Sequence, residues 1–117
     1  PPLGSQVILS TLAYLAKKKN NIGIVEGVYF FGAPITEDVP SSKKYGKILQ
    51  KIVNKKIVNH YAPSDEVLAW ADKEKFVNGP LGLNGATGKP ISKYNQILLK
   101  PKNHRFASYA SALKKFP

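Results

Sequence analysis

Alternation between helical and strand-like segments is the feature of this chain that most constrains its fold. Apolar side chains recur at helical spacing in four segments, and three β-rich apolar runs separate them. In chain order the predicted elements are a helix at 6–19, a strand at 25–31, a helix at 41–53, a strand at 56–62, a helix at 66–76, a strand at 95–100 and a helix at 104–116. Such alternation is typical of parallel sheets with right-handed crossovers, so we predict an α/β fold with a three-stranded parallel sheet flanked by helices.

The predicted elements give particular side chains a place. Residues 25–31 do not alternate cleanly between polar and apolar, which favours a strand that is buried on both faces. Ser41 and Asn103 precede the second and the last helix and are expected to be their N-caps. Trp70 is expected to pack under the second crossover, and Phe106 to face inward.

Lysine dominates the charge of the chain. Of the 18 Lys and Arg residues, Arg105 is the only arginine, and against 7 Asp and Glu residues the formal net charge is +11. Base readout and bidentate phosphate binding favour arginine, so we expect no sequence-specific nucleic-acid binding. The excess of lysine over acidic residues is interpreted either as a solvated basic surface or as a surface that attracts anionic membranes and other polyanions without sequence specificity.

Missing residue types exclude several classes of protein. The chain has no cysteine, which excludes a disulfide scaffold, a thiolate metal site and a cysteine nucleophile. Two histidines, His60 and His104, with few clustered acids give no credible metal site, and we expect no cofactor. No apolar run approaches the length of about 18 residues that a membrane span needs, and no signal peptide is recognised. We expect an intracellular location, either free or associated with a membrane surface.

An acid and a histidine come directly after two of the predicted strands. Asp65 follows the second strand and His104 follows the third. Parallel strands end at one edge of their sheet, where functional residues gather, and this order matches the last two members of the Ser…Asp…His triad of α/β-hydrolases. We therefore interpret Asp65 and His104 as candidate site residues, with Glu66 as the alternative acid.

Each of these residues also has a purely structural interpretation. Asp65 lies in Pro-Ser-Asp-Glu, which is typical of a helix N-terminus, so its carboxylate could serve only as a cap. His104 could be an exposed histidine without a task. His60 lies inside a predicted strand and is interpreted as packed or hydrogen-bonded there. The glycine-rich stretch 78–90 is interpreted either as the border or lid of a substrate cleft or as a disordered surface loop.

Several short segments together resemble a known family. They are Leu3-Gly4-Ser5-Gln6-Val7-Ile8-Leu9, Val28-Tyr29-Phe30-Phe31-Gly32-Ala33-Pro34, Ile57-Val58-Asn59-His60-Tyr61, Ser64-Asp65-Glu66-Val67-Leu68 and Gly82-Leu83-Asn84-Gly85, with His104 near the last helix. Their order and spacing are similar to the C-terminal half of the hydrolase domain in the lipase-like family of transmembrane-and-coiled-coil-domain (TMCO-type) proteins. The first segment resembles the end of a nucleophile elbow, in which Ser-Leu-Gly opens the following helix.

The resemblance implies a role for each matched position. Asp65 would orient the histidine, His104 would be the general base, and the backbone N–H of Leu3 would belong to the oxyanion hole. The family's serine falls at position 2, where this chain has Pro2, so the chain alone is predicted to be inactive. The missing serine is explained by a truncated domain, by a degenerate paralogue, or by a cloning remnant at residues 1–5.

Two hypotheses on function follow from these inferences. In the first, residues 1–117 are a single, partial α/β-hydrolase-like domain, a fragment or degenerate form of a serine hydrolase whose intact parent acts on an ester or lipid. The alternative is a non-catalytic interaction domain whose basic surface binds anionic membranes or other polyanions. In the first hypothesis strand 25–31 lacks the neighbour it normally has, so we expect self-association or pairing with a complementing fragment at that edge.

Overall fold

The computed structural model describes residues 4–115 of the chain. Within these residues the helices and strands follow one another in the predicted alternation. In chain order they are α1 (Gly4–Leu15), a 3-10 turn (Lys19–Asn21), β1 (Val25–Phe31), a second 3-10 turn (Val39–Ser41), α2 (Lys43–Ile52), β2 (Val53–Tyr61), α3 (Glu66–Lys73), α4 (Leu81–Asn84), β3 (Tyr94–Leu98) and α5 (Phe106–Ala112).

The three strands form one parallel sheet in the order β1-β2-β3. This confirms the predicted α/β fold with a three-stranded parallel sheet flanked by helices. The register sets Phe31 of β1 opposite His60 of β2, and His60 opposite Ile97 of β3. Because the strands run in the same direction, the segments that follow them emerge at the same edge of the sheet.

Helices cover the two faces of the sheet through two apolar clusters. Phe30 and Phe31 are neighbours in β1 and therefore point to opposite faces. Phe30 belongs to the larger cluster, to which α1 and α2 contribute, and Phe31 packs against the smaller cluster, to which α5 contributes Tyr109. The larger cluster has the following buried members: Leu9, Leu12, Val28, Phe30, Ala33, Ile35, Val39, Leu49, Ile52, Val53, Ile57 and Leu81.

Burial differs between the strands because β2 is central and the other two strands are edges. Residues 57–60 of β2 are all buried, whereas Ile97 and Leu98 of β3 remain about half exposed, at 47% and 48%. In β1 only Val28 and Phe30 are buried. The prediction that 25–31 is buried on both faces was therefore wrong for the second face, which the short helix α5 covers only in part.

Side chains that bond to the backbone set the end of α1 and the start of α2, and both were predicted incorrectly. The helix predicted at 66–76 was also too long, because α3 ends at Lys73. The helix predicted at 6–19 ends at Leu15, whose carbonyl accepts a hydrogen bond from Asn21 Nδ2 at 3.0 Å. The helix predicted at 41–53 begins after Ser42, not after Ser41. Ser42 Oγ accepts the backbone N–H of Tyr45 at 2.9 Å and is the N-cap.

The glycine-rich stretch 78–90 is partly a fixed element of the core. It contains α4, in which Leu81 is fully buried. The Leu81 carbonyl accepts a hydrogen bond from Nδ2 of the buried Asn59 at 2.9 Å. Gly82 lies so close to the end of β1 that a Cβ there would be 2.2 Å from the backbone nitrogen of Ala33. The interpretation as a disordered surface loop was therefore wrong for α4.

Two aromatic side chains lie on the surface, contrary to prediction. Trp70 of α3 is 56% exposed and Phe106 of α5 is 58% exposed. The last helix was also predicted too long, because it covers Phe106–Ala112 instead of 104–116. Its N-cap residue is Arg105, and Asn103 Oδ1 instead accepts hydrogen bonds from the Arg105 backbone and from Ser108 Oγ.

Candidate functional site

The carboxylate of Asp65 lies between the end of β2 and the start of α3, at the edge of the sheet where the carboxyl ends of the strands meet. The side chain is buried, with the residue 2% exposed. Its Oδ1 accepts the backbone N–H of Leu68 at 3.0 Å, so Asp65 is the N-cap of α3. Its Oδ2 accepts a hydrogen bond from His104. The cap contact and the histidine contact, which the sequence left as alternatives, are therefore made by the two oxygens of one carboxylate.

The imidazole of His104 completes this pair from the segment that joins β3 to α5. Its Nδ1 lies 2.5 Å from Asp65 Oδ2, and a quarter of the His104 side chain is exposed. A carboxylate oxygen can only accept, so Nδ1 carries the hydrogen in this contact. That assignment leaves Nε2 as the ring nitrogen that can accept a proton from another group.

A tyrosine hydroxyl also contacts the carboxylate. Tyr109 of α5 is 1% exposed, and its hydroxyl donates to Asp65 Oδ2 at 2.5 Å. Burial raises the pKa of the Tyr109 phenol, and the hydrogen bond to Asp65 and the nearby negative charge raise it further. Tyr109 is therefore a neutral donor at physiological pH.

Gly32 at the end of β1 makes room for this hydroxyl. A Cβ at position 32 would lie 2.6 Å from the Tyr109 hydroxyl oxygen, and the residue has a φ of +57°, which glycine tolerates best.

A cavity of about 230 Å³ opens beside the pair. The start of α1, the end of β1 and the segment before α5 enclose it. Its lining residues are Gly4, Ser5, Ile8, Tyr29, Phe30, Phe31, Gly32, Pro34, His104, Phe106 and Tyr109. The lining is mainly apolar and aromatic, and the imidazole of His104 is its basic side chain. His104 and the N-terminal turn of α1 therefore face the same cavity.

The positions implied as nucleophile and oxyanion donor, Pro2 and Leu3, lie outside the described residues. The first described residue, Gly4, lines the cavity, and so does Ser5. Ser5 is the serine among these lining residues, although the sequence around it does not match Gly-x-Ser-x-Gly.

The other two candidates named from the sequence do not join the pair. Glu66 is exposed in the first turn of α3, where it follows the capping residue. His60 is 1% exposed in β2, its Nδ1 lies 3.0 Å from the carbonyl oxygen of Phe30, and its ring stacks on Phe31 with centroids 4.2 Å apart. These contacts agree with the interpretation of His60 as a packed and hydrogen-bonded strand residue.

Sequence reasoning missed two polar groups of this region. The helical spacing of Tyr109 predicts only that its side chain faces inward from the last helix, and nothing in that spacing reveals the contact with a carboxylate 44 residues away. Asn59 was not singled out, although it is fully buried, donates to the Leu81 carbonyl and to the Tyr94 hydroxyl, and leaves its Oδ1 without a partner among the described residues. A polar residue within an apolar strand run was the available signal.

No three His, Asp or Glu side chains converge on a metal-sized site within residues 4–115. His104 and Asp65 together could supply at most two metal-ligating side chains, and Asp65 Oδ2 already accepts two hydrogen bonds. The arrangement is that of an oriented base, which can take up and return a proton at Nε2.

Residues 2–78 match the family described as "Protein of unknown function (DUF726)". The matched range covers more than half of the chain and includes Asp65 but not His104. The chain belongs to the DUF726 family. An uncharacterized membrane protein of Caenorhabditis elegans is 33% identical over 97 residues, which are 80% of this chain and 15% of the relative. No solved structure matches the chain.

This DUF726 chain therefore spans 15% of the length of the curated relative it matches. No helix between residues 4 and 115 is long and apolar enough to cross a membrane.

Proposed function

We propose that this chain is a fragment or degenerate form of a serine hydrolase that retains the acid and the base of the triad and has no nucleophile of its own. The proposal is carried by one observation. A buried carboxylate, Asp65, accepts the Nδ1–H of His104 at 2.5 Å beside a cavity that begins at the first turn of α1. In this arrangement Asp65 orients the imidazole and His104 is the general base.

Nε2 of His104 would move the proton in the complete enzyme. It would take the proton from a serine hydroxyl while Oγ forms a bond to the ester carbonyl carbon, and would then give that proton to the departing alkoxide. Asp65 would stay ionised throughout and stabilise the imidazolium. Position 2 would hold the serine and the Leu3 N–H would stabilise the oxyanion. Because Pro2 has no hydroxyl, we expect this chain by itself to show no ester turnover.

The substrate class and the finer family assignment are also part of the proposal. The resemblance to the lipase-like family of TMCO-type proteins implies an ester or lipid substrate. The cavity lining favours an uncharged acyl group, because Ile8, Phe31 and Phe106 line it and, within residues 4–115, no lysine or arginine does.

Ester turnover by the whole gene product that contains this chain tests the proposal. The substrates are p-nitrophenyl esters with acyl chains of graded length. Asp65→Asn and His104→Ala are each expected to lower kcat/KM by roughly 10³-fold or more, because the base loses its orientation or is removed. The matched control is Asp38→Asn, an exposed acid outside the cavity, and is expected to retain turnover. Unchanged turnover in His104→Ala would overturn the assignment.

A second candidate function is non-catalytic binding to an anionic membrane surface. One surface feature favours it. Trp70 and Phe76 stack with ring centroids 5.2 Å apart and are 56% and 71% exposed. The chain between them carries two lysines and two acids, Asp72, Lys73, Glu74 and Lys75, so the attraction to anionic lipids would come from the net charge of +11 of the whole chain. Exposed aromatic rings are typical of the membrane interface.

Tryptophan fluorescence tests this second candidate, because Trp70 is the single tryptophan of the chain. Vesicles containing phosphatidylserine are expected to shift its emission to the blue, and added salt is expected to reverse the shift. Phe76→Ser should weaken the response, whereas the control Tyr14→Ser, at a residue 66% exposed on α1, should not. An emission spectrum unchanged by the vesicles would exclude this use of the patch.

A further inference from the structure

Asp65 Oδ2 is shared by two donors. The Nδ1–H of His104 and the hydroxyl of Tyr109 both reach this oxygen, each at 2.5 Å, while Oδ1 is bound by the backbone of Leu68. A carboxylate that is bonded on both oxygens cannot rotate without losing contacts, and each donor takes a part of its negative charge.

Tyr109 is held in this contact by three parts of the fold. Its ring belongs to the apolar cluster of Ala62 and Leu99 and is 1% exposed. Its hydroxyl occupies the space that Gly32 leaves at the end of β1. The ring also stands edge-on to the imidazole of His104, with centroids 6.3 Å apart and planes at 88°. The hydroxyl therefore has a fixed direction toward the carboxylate.

We propose that Tyr109 is a positioning residue, whose hydroxyl fixes the carboxylate of Asp65 and sets how strongly Asp65 bonds His104. The inference rests on the proposed function and assigns Tyr109 a part in the same site. Removing the hydroxyl would leave more negative charge for the Nδ1–H of His104, which would strengthen that bond. A tyrosine that only filled space would not affect it.

The other polar groups around His104 do not offer the carboxylate a substitute donor in the described structure. Lys102 and Arg105 are exposed on the histidine's own segment, and Tyr29 lines the cavity from β1. The bonds recorded to the Asp65 carboxylate come from Leu68, His104 and Tyr109. A change at Tyr109 should therefore be transmitted to His104 through Asp65.

Nuclear magnetic resonance of the chain with ¹⁵N-labelled histidine provides the test, and it needs no catalytic activity. The readout is the resonance of the His104 Nδ1 proton, which moves downfield as its bond to a carboxylate strengthens. Tyr109→Phe is expected to shift this proton further downfield than in the unsubstituted chain. Asp65→Asn is expected to abolish the downfield resonance.

Tyr94→Phe is the matched control. The Tyr94 hydroxyl accepts a hydrogen bond from Asn59 and donates to Gln96, so the substitution also removes a bonded hydroxyl, but away from the pair. This variant is expected to leave the His104 proton where it is. If Tyr109→Phe does not fold, 3-fluorotyrosine at position 109 keeps the ring and is a stronger donor, and the proton should then move upfield.

The outcomes separate this inference from the proposed function. A His104 proton that depends on Asp65 but does not respond to Tyr109→Phe would overturn the positioning role and leave the Asp65–His104 pair intact. A His104 spectrum that does not respond to Asp65→Asn would show that the pair does not form in solution, which overturns both.

Discussion

Asp65 shows how much a single side chain can do when it follows a strand of a parallel sheet. Burial of an isolated carboxylate is costly, and here three donors compensate for it: the backbone N–H of Leu68, the imidazole of His104 and the hydroxyl of Tyr109. The cap contact stabilises α3, and the same contact fixes the orientation of the oxygen that bonds the histidine. Structural and chemical interpretations of such a residue therefore do not exclude each other.

His60 carries a prediction about pH at the same scale. The ring is buried, and burial lowers the pKa of His60, an effect that the hydrogen bond to the Phe30 carbonyl opposes in part. The unfolded chain binds a proton to this residue below pH about 6.5, whereas the folded chain does so only at lower pH. The contribution to stability is therefore fully present above about 6.5 and is lost as the pH falls through the folded value.

Urea unfolding at about pH 7.5 and about pH 5.5 measures this effect. The unsubstituted chain should unfold at lower urea at the acidic pH. His60→Gln removes this titrating group and should make the difference between the two midpoints smaller. An equal difference in both proteins would contradict the assignment to His60.

At the scale of elements, the sequence predicted the three strands and the other four helices with their type, but it missed α4 and did not predict where the elements end. The spacing of apolar residues and the turn residues between segments predict these strands and helices, because both signals extend over many residues. Ends depend on single contacts with distant backbone, such as that between Asn21 and the Leu15 carbonyl. Likewise α4 is stabilised by burial against β2, through Asn59 and the Leu81 carbonyl, and its own sequence carries no such information.

The N-cap of α2 gives a prediction at this scale. Ser42→Ala is expected to lower the free energy of unfolding by about 1 kcal/mol, because the backbone N–H groups of Tyr45 and Gly46 lose their acceptor. Urea unfolding followed by circular dichroism measures the change. Ser10→Ala, at an exposed position within α1, is the control and should have a much smaller effect. Equal effects of the two substitutions would contradict the placement of the cap.

At the scale of the whole molecule, the most consequential feature is the side of β1 that has no neighbouring strand within residues 4–115. The strand pairs with β2 on one side, and an apolar groove of about 290 Å³ runs beside it, with Val7 and Leu15 of α1 and Val25 and Tyr29 of β1 among its lining residues. An edge with unpaired backbone groups and apolar surroundings invites pairing with another chain. We therefore expect this chain to self-associate through the β1 edge.

Light scattering at high micromolar concentration measures the association. Val7→Lys places a charge in the groove and should shift the chain toward the monomer. Val67→Lys is the matched control, since Val67 is similarly exposed, at 51% against 61% for Val7, and lies on α3 outside the groove lining. A strictly monomeric unsubstituted chain would contradict the expected self-association, and a complementing fragment would then be the remaining partner for this edge.

The candidate site was predictable in part because it depends on how the parallel strands are arranged in the whole sheet. Parallel strands bring the segments after them to one edge, so Asp65 and His104 could be placed near each other from their order alone. Their bond at 2.5 Å, the contribution of Tyr109 and the cavity against the first turn of α1 depend on packing between distant elements. No pattern within one segment encodes them.

Introducing a serine at position 2 tests the central claim most directly. The chain with Pro2→Ser is treated with a fluorophosphonate, and mass spectrometry identifies the labelled residue. The account predicts labelling of the introduced serine, and loss of that labelling when Pro2→Ser is combined with His104→Ala or Asp65→Asn. Labelling of Ser5 instead, no labelling at all, or labelling that persists without His104 would contradict the claim that this pair is the acid and base of a serine hydrolase.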